Sequence, residues 1–196
     1  MRKAIIWFTA GLVILLVGIF FIPGSKEKLA LDADKFFSGE YWRIVSYPFV
    51  HLDWIHLMEN ILGLVLVGFL AFELKTRFFD YSLTYFSSGI LAVLPLWLVV
   101  SFIALGSSAA VYGLFGFISF GLSKFGMKAR YVLLVVLLII GAKLMYNLIS
   151  EGEIKLYLIQ SLAHLSGLIW GIGLFWGLRS WHNYSDKKKK YILRRD

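Results

Sequence analysis

The sequence contains no cysteine, which excludes disulfide bonds, thiolate metal sites and a cysteine nucleophile. It is also poor in charge, because charged residues make up 16% of the chain, whereas a soluble globular domain carries about 25%. Hydrophobic residues make up 59% of the chain, and its mean hydropathy is +0.76. This balance argues against a soluble domain and favours a protein that lies within a lipid bilayer.

Long apolar segments account for most of the chain, and about 20 apolar residues are enough for a helix to cross the hydrocarbon core. The sequence predicts spans at residues 4–22, 54–72, 81–103, 108–122, 131–149 and 156–178. The first run is too long for the apolar part of a signal peptide and lacks a small-residue cleavage site, so we expect it to remain uncleaved. We predict an all-α membrane protein whose single domain, residues 1–196, is a six-helix transmembrane bundle with a basic tail at 179–196.

The net charge of +8 is concentrated at one set of segment ends. The termini and loops of that side carry Arg2, Lys3, Lys75, Arg77, Lys124, Lys128, Arg130, Arg179, the lysines at 187–190, Arg194 and Arg195. Because Lys and Arg favour the cytoplasmic side of a membrane, both termini are predicted to be cytoplasmic. Topology and contact with the bilayer thus explain the charge, and we expect no nucleic-acid partner.

The longest loop, residues 23–53, mixes charged residues with aromatic ones. Its aromatic residues are Phe36, Phe37, Tyr41, Trp42, Tyr47 and Phe49. A fully solvated loop would carry fewer such rings, which are favoured at the membrane interface. We therefore expect the loop to fold back onto the surface of the bilayer.

Polar residues in apolar spans are costly, so each one is a functional hypothesis. His56 and Asn60 are four residues apart near the start of the second span and share one helix face. They would aim two hydrogen-bond donors at one point. The alternative is a polar helix end that bonds to neighbouring backbone groups.

Ser107 and Ser108 open the fourth span, which is short and follows Gly106 in a run of small residues. The non-helical segment before it would need burial in protein or contact with a water-filled cavity. A serine at a helix start is commonly an N-cap. It would otherwise be a nucleophile beside free backbone N–H groups, the donors that an oxyanion needs.

His164 lies in the sixth span on the same face as Gly167 and Gly171. Small residues spaced by four let another helix backbone approach closely, so His164 would point at a packed helix and not at lipid. Taken alone, such a histidine is more often a structural hydrogen-bonding group.

The polar residues of the second, fourth and sixth spans together indicate a catalytic site more strongly than any one of them alone. A serine nucleophile needs a base to take its proton and donors to hold the oxyanion. Ser108, His164 and the pair of His56 and Asn60 would supply these functions at similar depth in the membrane.

These residues follow the pattern of a known family, and the chain resembles the rhomboid intramembrane proteases. The matching positions are Trp42 and Arg43 in the first loop, His51, His56 and Asn60 at the second span, Gly106, Ser108, Tyr112, Gly113 and Gly116 at the fourth, and Ala163, His164, Gly167 and Gly171 in the sixth. The similarity covers residues 40–178, with the motifs in the family's order.

The resemblance implies a serine endopeptidase that cleaves transmembrane protein substrates near the outer membrane face. Ser108 would be the nucleophile and His164 the general base. Ser107 is the less favoured nucleophile, because choosing it would shift Tyr112 and Gly116 out of the family's spacing. His56 and Asn60 would line the oxyanion hole. Supporting residues would be His51, Gly106, Tyr112, Gly167 and Gly171, with Tyr112 stacked against His164. The resemblance implies no cofactor or metal ion, and the six-span core suggests a prokaryotic cell membrane.

Two positions depart from the family pattern. Ala109 replaces the usual glycine, and its methyl group would crowd the contact between the fourth and sixth spans or narrow the site. Glu59 replaces a residue that is more often apolar, and it would lie at the membrane edge or change the pKa of His56. Neither departure removes a catalytic group, so we still expect activity. The two positions are the only support for an alternative, a catalytically inactive rhomboid-like protein that binds membrane helices. A transporter that uses intramembrane histidines is a third hypothesis, but the inverted repeats expected of many transporters are not seen.

Overall fold

A computed structural model describes residues 2–100, 102–151 and 154–192, which form an all-α bundle. The α-helices are α1 (Arg2–Phe20), α2 (Ser25–Leu29), α3 (Ala33–Phe37), α4 (Arg43–Ser46), α5 (Trp54–Glu73), α6 (Phe78–Ile90), α7 (Leu94–Val100), α8 (Ser108–Ser119), α9 (Ala129–Glu151) and α10 (Ile154–Ile192). Short 3₁₀ helices follow α4 at Tyr47–Phe49 and α8 at Gly121–Phe125.

Helices long and apolar enough to cross a membrane dominate the structure. Within the described residues there are five such stretches, Lys3–Phe20, Trp54–Glu73, Phe78–Val100, Ala129–Ser150 and Ile154–Lys187. The apolar helix α8 is shorter, with 12 residues. The predicted all-α class, a bundle of membrane-spanning helices, is confirmed.

The third stretch is interrupted, in contrast to the continuous helix predicted at 81–103. A turn at residues 91–93 separates α6 from α7, and Pro95 is the second residue of α7. Proline lacks a backbone donor and is tolerated in the first turn of a helix but not in its interior. Helix α6 therefore ends at Ile90 and α7 begins at Leu94, and Trp97 of α7 is buried, 1% exposed.

Helix α8 lies at the centre of the bundle and contacts α5, α6, α9 and α10. The segment before it is not helical, and the first loop satisfies its backbone. Leu31 and Ala104 exchange N–H···O bonds of 2.9 and 3.0 Å, and the N–H of Gly106 donates to the carbonyl of Tyr47 at 3.0 Å. The expectation that this segment is buried in protein is therefore met, and a 12-residue helix can begin inside the bundle.

The first loop is held together by the buried side chain of Arg43. Its Nη1 donates to the carbonyl of Ala30 at 2.7 Å, and its Nη2 donates to the carbonyl of Glu27 at 2.9 Å. Its Nε donates to the carboxylate of Glu40 at 2.7 Å. A guanidinium with all three nitrogens bonded joins α4 to α2 and to the segments that follow α2 and α3.

The aromatic residues of the loop divide into two groups. Phe36 packs edge-on against Trp97 of α7, with ring centroids 5.4 Å apart. Phe37 also stacks on Trp97, with ring centroids 6.1 Å apart, but like Tyr41 and Trp42 it is more than half exposed, at 68% against 62% and 55%. Packing against α7 explains one part of the aromatic content, and the exposed rings fit the predicted position at the membrane interface.

Helix α10 continues well beyond the predicted end of the sixth span at residue 178. Its extension is joined to the start of α6, because Nε2 of His182 lies 3.0 Å from the Asp80 carboxylate. Because α10 extends to Ile192, it includes most of the segment that was predicted as a basic tail.

Candidate functional site

The predicted nucleophile and base are in direct contact. Ser108 is the first residue of α8 and His164 lies within α10. The Ser108 hydroxyl oxygen is 2.9 Å from Nε2 of His164, within hydrogen-bonding distance. His164 is 3% exposed, so its ring is almost entirely enclosed by the protein. A histidine nitrogen at this distance is placed to take the serine proton.

Glycines explain why α8 and α10 approach so closely. A Cβ atom on Gly167 would lie 2.9 Å from the carbonyl carbon of Ala109, and one on Gly171 would lie 2.6 Å from that of Gly113. Real Cβ atoms essentially never come within 3.0 Å of another heavy atom. The predicted small-residue face of α10 is therefore confirmed as a backbone contact, and it fixes the distance between Ser108 and His164.

The predicted stacking of Tyr112 on His164 is present in the structure. The two ring centroids are 4.6 Å apart, and the ring planes are inclined by 32°. Tyr112 lies one turn after Ser108 on α8, so a single helix supplies both partners of the histidine. Such ring contacts restrict the orientation of the imidazole.

His56 and Asn60 are brought to the same site from α5. Asp53 caps this helix, because its carboxylate accepts the N–H of His56 at 2.8 Å. Asn60 Nδ2 donates to the His56 carbonyl at 2.8 Å. Among the described residues, the buried His56 Nε2 has no hydrogen-bond partner. A buried nitrogen without a partner is unusual and marks a group that a ligand could satisfy.

Gly106 is required beside His56 for two separate reasons. Its φ angle of +100° lies in a region that residues with side chains rarely adopt. A Cβ atom there would also lie 2.6 Å from Cε1 of His56. The glycine of the predicted motif therefore makes room for the histidine ring at the start of α8.

A cavity of about 990 Å³ opens onto these polar groups. His56, Asn60, Ser108, Tyr112 and His164 all contribute to its wall. The rest of the wall is mostly apolar and includes Leu62, Leu66 and Phe69 of α5 and Val132, Val136 and Ile139 of α9. The cavity thus lies between α5 and α9 and has the polar site on its α8–α10 side.

Glu59 makes an ion pair that the sequence did not predict. Its carboxylate contacts Nζ of Lys143 on α9, and both residues line the cavity. Glu59 is therefore not an isolated group at the membrane edge. Lys143 was missed, although a lysine inside the predicted span 131–149 is itself a costly polar residue that called for a partner.

Ala109 is accommodated without narrowing the cavity. It is 4% exposed and belongs to an apolar cluster with Val93, Trp97 and Ala104. Its backbone, and not its methyl group, is what a side chain at Gly167 would strike. The departure from glycine thus leaves the contact between α8 and α10 intact.

Ser107 and Ser108 face different surroundings. The hydroxyl of Ser107 is fully buried, 3.2 Å from Oδ1 of Asn60 and 3.5 Å from Nε2 of His51. His51 is itself 1% exposed and packs edge-on against the ring of His56. Ser107 is thus directed away from His164, and this polar group around it was not anticipated.

Burial changes the ionisation of His51, which lies before the start of α5. Desolvation lowers its pKa to about 3, an effect that nearby His56 strengthens and Asp53 weakens. His51 is therefore neutral near pH 7 and has one nitrogen that donates and one that accepts.

The fold and the site together define a multi-pass helical membrane protein with a buried polar site inside the bundle. Residues 38–181 match the family model of the Rhomboid domain. The chain belongs to the rhomboid family. It is 31% identical over 166 residues to Rhomboid-like protein 11, chloroplastic, of Arabidopsis thaliana. The matched segment covers 76% of this chain and 58% of that protein.

Shorter similarities extend to other relatives in the same plant. RHOMBOID-like protein 5 is 31% identical over 98 residues, 48% of this chain and 31% of that protein. RHOMBOID-like protein 4 is 35% identical over 88 residues, 44% of this chain and 22% of that protein. The chain therefore spans at most about three fifths of the length of these relatives.

Proposed function

We propose that this protein is an intramembrane serine endopeptidase that cleaves transmembrane protein substrates. The observation that carries the proposal is the 2.9 Å contact between Ser108 Oγ and His164 Nε2 in the wall of an apolar cavity. A hydroxyl beside a buried imidazole, with donors nearby, is the arrangement that acyl transfer needs. A metal ion or organic cofactor has no role in this scheme.

In the first half of the reaction, His164 takes the proton of Ser108 while Oγ attacks the carbonyl carbon of the scissile peptide. The carbonyl oxygen becomes an oxyanion, and His56, Asn60 and the backbone N–H of Ser108 are the donors positioned to stabilise it. His164 then gives its proton to the leaving nitrogen. The C–N bond breaks, and an acyl-enzyme ester remains on Ser108.

In the second half, a water molecule attacks the ester carbon and gives a proton to His164. The resulting intermediate expels Ser108 Oγ, which regains its proton from the histidine. The products are two shorter polypeptides, and both catalytic residues return to their starting state.

The shape and chemistry of the cavity support a membrane-spanning substrate. Its α5 and α9 walls are apolar, as suits a segment that arrives from lipid, whereas the polar groups are gathered at one side. The predicted orientation, with both termini cytoplasmic, would place the site near the outer face. The prokaryotic cell membrane that the six-span layout suggested is not supported by these relatives, which are plant proteins.

Labelling with a fluorophosphonate probe tests the proposal directly. Detergent-solubilised wild type would be compared with Ser108→Ala, His164→Ala and Ser107→Ala. We expect labelling to be lost in the Ser108 and His164 variants and to reach the wild-type end point in the Ser107 variant. Folding of each variant would be checked by its thermal unfolding.

Absence of labelling in folded wild type would contradict the proposal. It would favour the inactive, helix-binding alternative, and Ala109→Gly would then be the first variant to label. Cleavage of a transmembrane substrate in proteoliposomes, absent in Ser108→Ala, would complete the assignment.

A further inference from the structure

The buried hydroxyl of Ser107 has no role in the scheme above. It lies next to the nucleophile in sequence, is 0% exposed, and makes no capping bond to α8 within the described structure. Its polar neighbours are Asn60 at 3.2 Å, His51 at 3.5 Å and the hydroxyl of the buried Tyr85. A serine that neither caps its helix nor faces the base needs another explanation.

The hydrogen-bond chemistry fixes the direction of the contact with Asn60. Oδ1 of an asparagine can only accept, so the hydroxyl of Ser107 must be the donor. The hydroxyl oxygen can then accept from His51 Nε2, which leads to a chain from His51 through Ser107 to Asn60. All three side chains are buried, so water does not compete for these bonds.

The two ends of the Asn60 amide are therefore held by different groups. Its Oδ1 is engaged by Ser107, and one N–H of Nδ2 is engaged by the His56 carbonyl at 2.8 Å. A flipped amide would direct Oδ1 at the His56 carbonyl, oxygen against oxygen, and would lose both bonds. The second N–H of Nδ2 is the one left for the cavity that Asn60 lines.

We propose that Ser107 is a positioning residue that orients the Asn60 carboxamide so that its free N–H is presented to the oxyanion. This inference rests on the proposed function, because it concerns the same reaction. Adjacent residues at a helix start point about 100° apart, since an α-helix has about 3.6 residues per turn. Ser108 can therefore face the base while Ser107 faces the donor.

The expected effect is on the rate of acylation. Removing an oxyanion donor outright costs about 10²–10³ in rate. Ser107→Ala leaves Asn60 in place but frees its amide to turn, so we expect acylation to slow by about three- to tenfold, the range of one neutral hydrogen bond. The turnover number should fall while the KM for a transmembrane substrate stays within about twofold, because Ser107 does not face the cavity.

A double-mutant cycle separates positioning from a general structural effect. The second-order rate of fluorophosphonate labelling would be measured for wild type, Ser107→Ala, Asn60→Ala and the double variant. Ser107→Ala should slow wild type but have no further effect on Asn60→Ala. Equal slowing in both backgrounds, or a wild-type rate in Ser107→Ala, would overturn the inference.

Two further variants keep the result interpretable. Ser119 is a buried serine of the same helix whose hydroxyl donates to its own backbone at Phe115, so Ser119→Ala is a matched control that should label at the wild-type rate. If Ser107→Ala does not fold, Ser107→Cys preserves the shape with a weaker donor and should be slowed to a smaller extent, and a wild-type rate in it would contradict the inference. Failure of wild type to label would count against the proposed function, whereas normal labelling of Ser107→Ala counts against the positioning role alone.

Discussion

Helix α8 meets α10 on one side and faces the cavity between α5 and α9 on the other, and the two sides are built in opposite ways. Toward α10, glycines bring the backbones together so closely that no side chain fits between them. Toward α5 and α9, where α8 also makes contacts, a cavity of about 990 Å³ interrupts the packing. The closed side fixes the distance between Ser108 and His164, and the open side leaves them accessible.

The difference between the two sides suits the two opposing requirements of the proposed activity. Catalytic groups must be held to within a fraction of an ångström, which demands dense packing. A helical substrate must still reach them, which demands a region with little packing. In this protein the division coincides with the two sides of a single short helix.

The largest effect should come from filling the closed side. A methyl group in Gly171→Ala would be forced against the Gly113 backbone, which cannot move aside as a flexible side chain could. We expect the free energy of unfolding to fall by about 3 kcal/mol, the upper part of the range for overpacking. Denaturant titration in mixed micelles, followed by circular dichroism, would measure it.

Gly173 provides the control on the same helix. A Cβ atom at Gly173 meets no described atom within 4 Å, so Gly173→Ala should be neutral or stabilise the helix by up to about 1 kcal/mol. Equal destabilisation by the two substitutions would show that the backbone contact at Gly171 is not the cause, since helix propensity alone favours alanine at both positions.

A second effect depends on pH and arises at the start of α8, where His51 packs beside Ser107 and His56. The folded protein holds His51 with a pKa of about 3, whereas an unfolded histidine titrates near 6.5. As the pH falls below about 6.5, the unfolded chain binds a proton that the folded chain excludes, so stability decreases by up to about 1.4 kcal/mol per pH unit until the folded pKa is reached. Between pH 7 and pH 5 this amounts to about 2 kcal/mol.

The contribution of His51 can be isolated by difference. The pH dependence of unfolding would be recorded for wild type and His51→Gln, whose amide does not titrate in this range. The slope between pH 6.5 and pH 5 should be smaller in the variant. An unchanged slope would mean that other groups account for the acid sensitivity.

The ring contact at the border of the two sides should have a smaller effect. Tyr112 stacks on His164 from the cavity side, with centroids 4.6 Å apart. Loss of the ring in Tyr112→Leu should reduce fluorophosphonate labelling by about three- to tenfold, since such contacts are worth about 0.5–1.5 kcal/mol. Tyr112→Phe keeps the ring and should label within about twofold of wild type, and a large loss in that variant would assign the role to the hydroxyl.

Much of the closed side was predictable from the sequence, for local reasons. The spacing of His164, Gly167 and Gly171 puts all three on one helix face, and small residues allow close backbone approach wherever they occur. Polar residues in apolar spans are rare enough that His56, Asn60 and Ser108 were identifiable before their partners were known.

The parts that were not predicted depend on tertiary structure. Hydropathy averages over several residues, so it did not resolve the turn at 91–93 that Pro95 imposes. The pairing of Glu59 with Lys143 joins two helices that are far apart in sequence, and no local pattern specifies it. The different surroundings of Ser107 and Ser108 depend on how α8 is rotated against its neighbours, which the resemblance suggested but spacing alone did not determine.

The smallest effect should come from the ion pair that spans the open side. Glu59 and Lys143 connect α5 and α9 beside the cavity, and their side chains are 46% and 26% exposed. An ion pair so exposed is worth about 0.2–1 kcal/mol. If α5 and α9 separate to admit a substrate, breaking the pair should favour the separated state by that amount.

Lys143→Gln and Glu59→Gln should therefore raise the rate of transmembrane substrate cleavage by up to about fivefold. Labelling by a small fluorophosphonate should change less than twofold, because the probe needs less space. The exchanged variant, Glu59→Lys with Lys143→Glu, should return to the wild-type rate. Lys124→Gln, which removes a lysine that bonds to the Leu74 carbonyl elsewhere in the bundle, is the control for loss of charge alone. If both Gln variants cleave at the wild-type rate, the ion pair does not restrain the open side, and its apolar walls alone would set the access of substrate to Ser108.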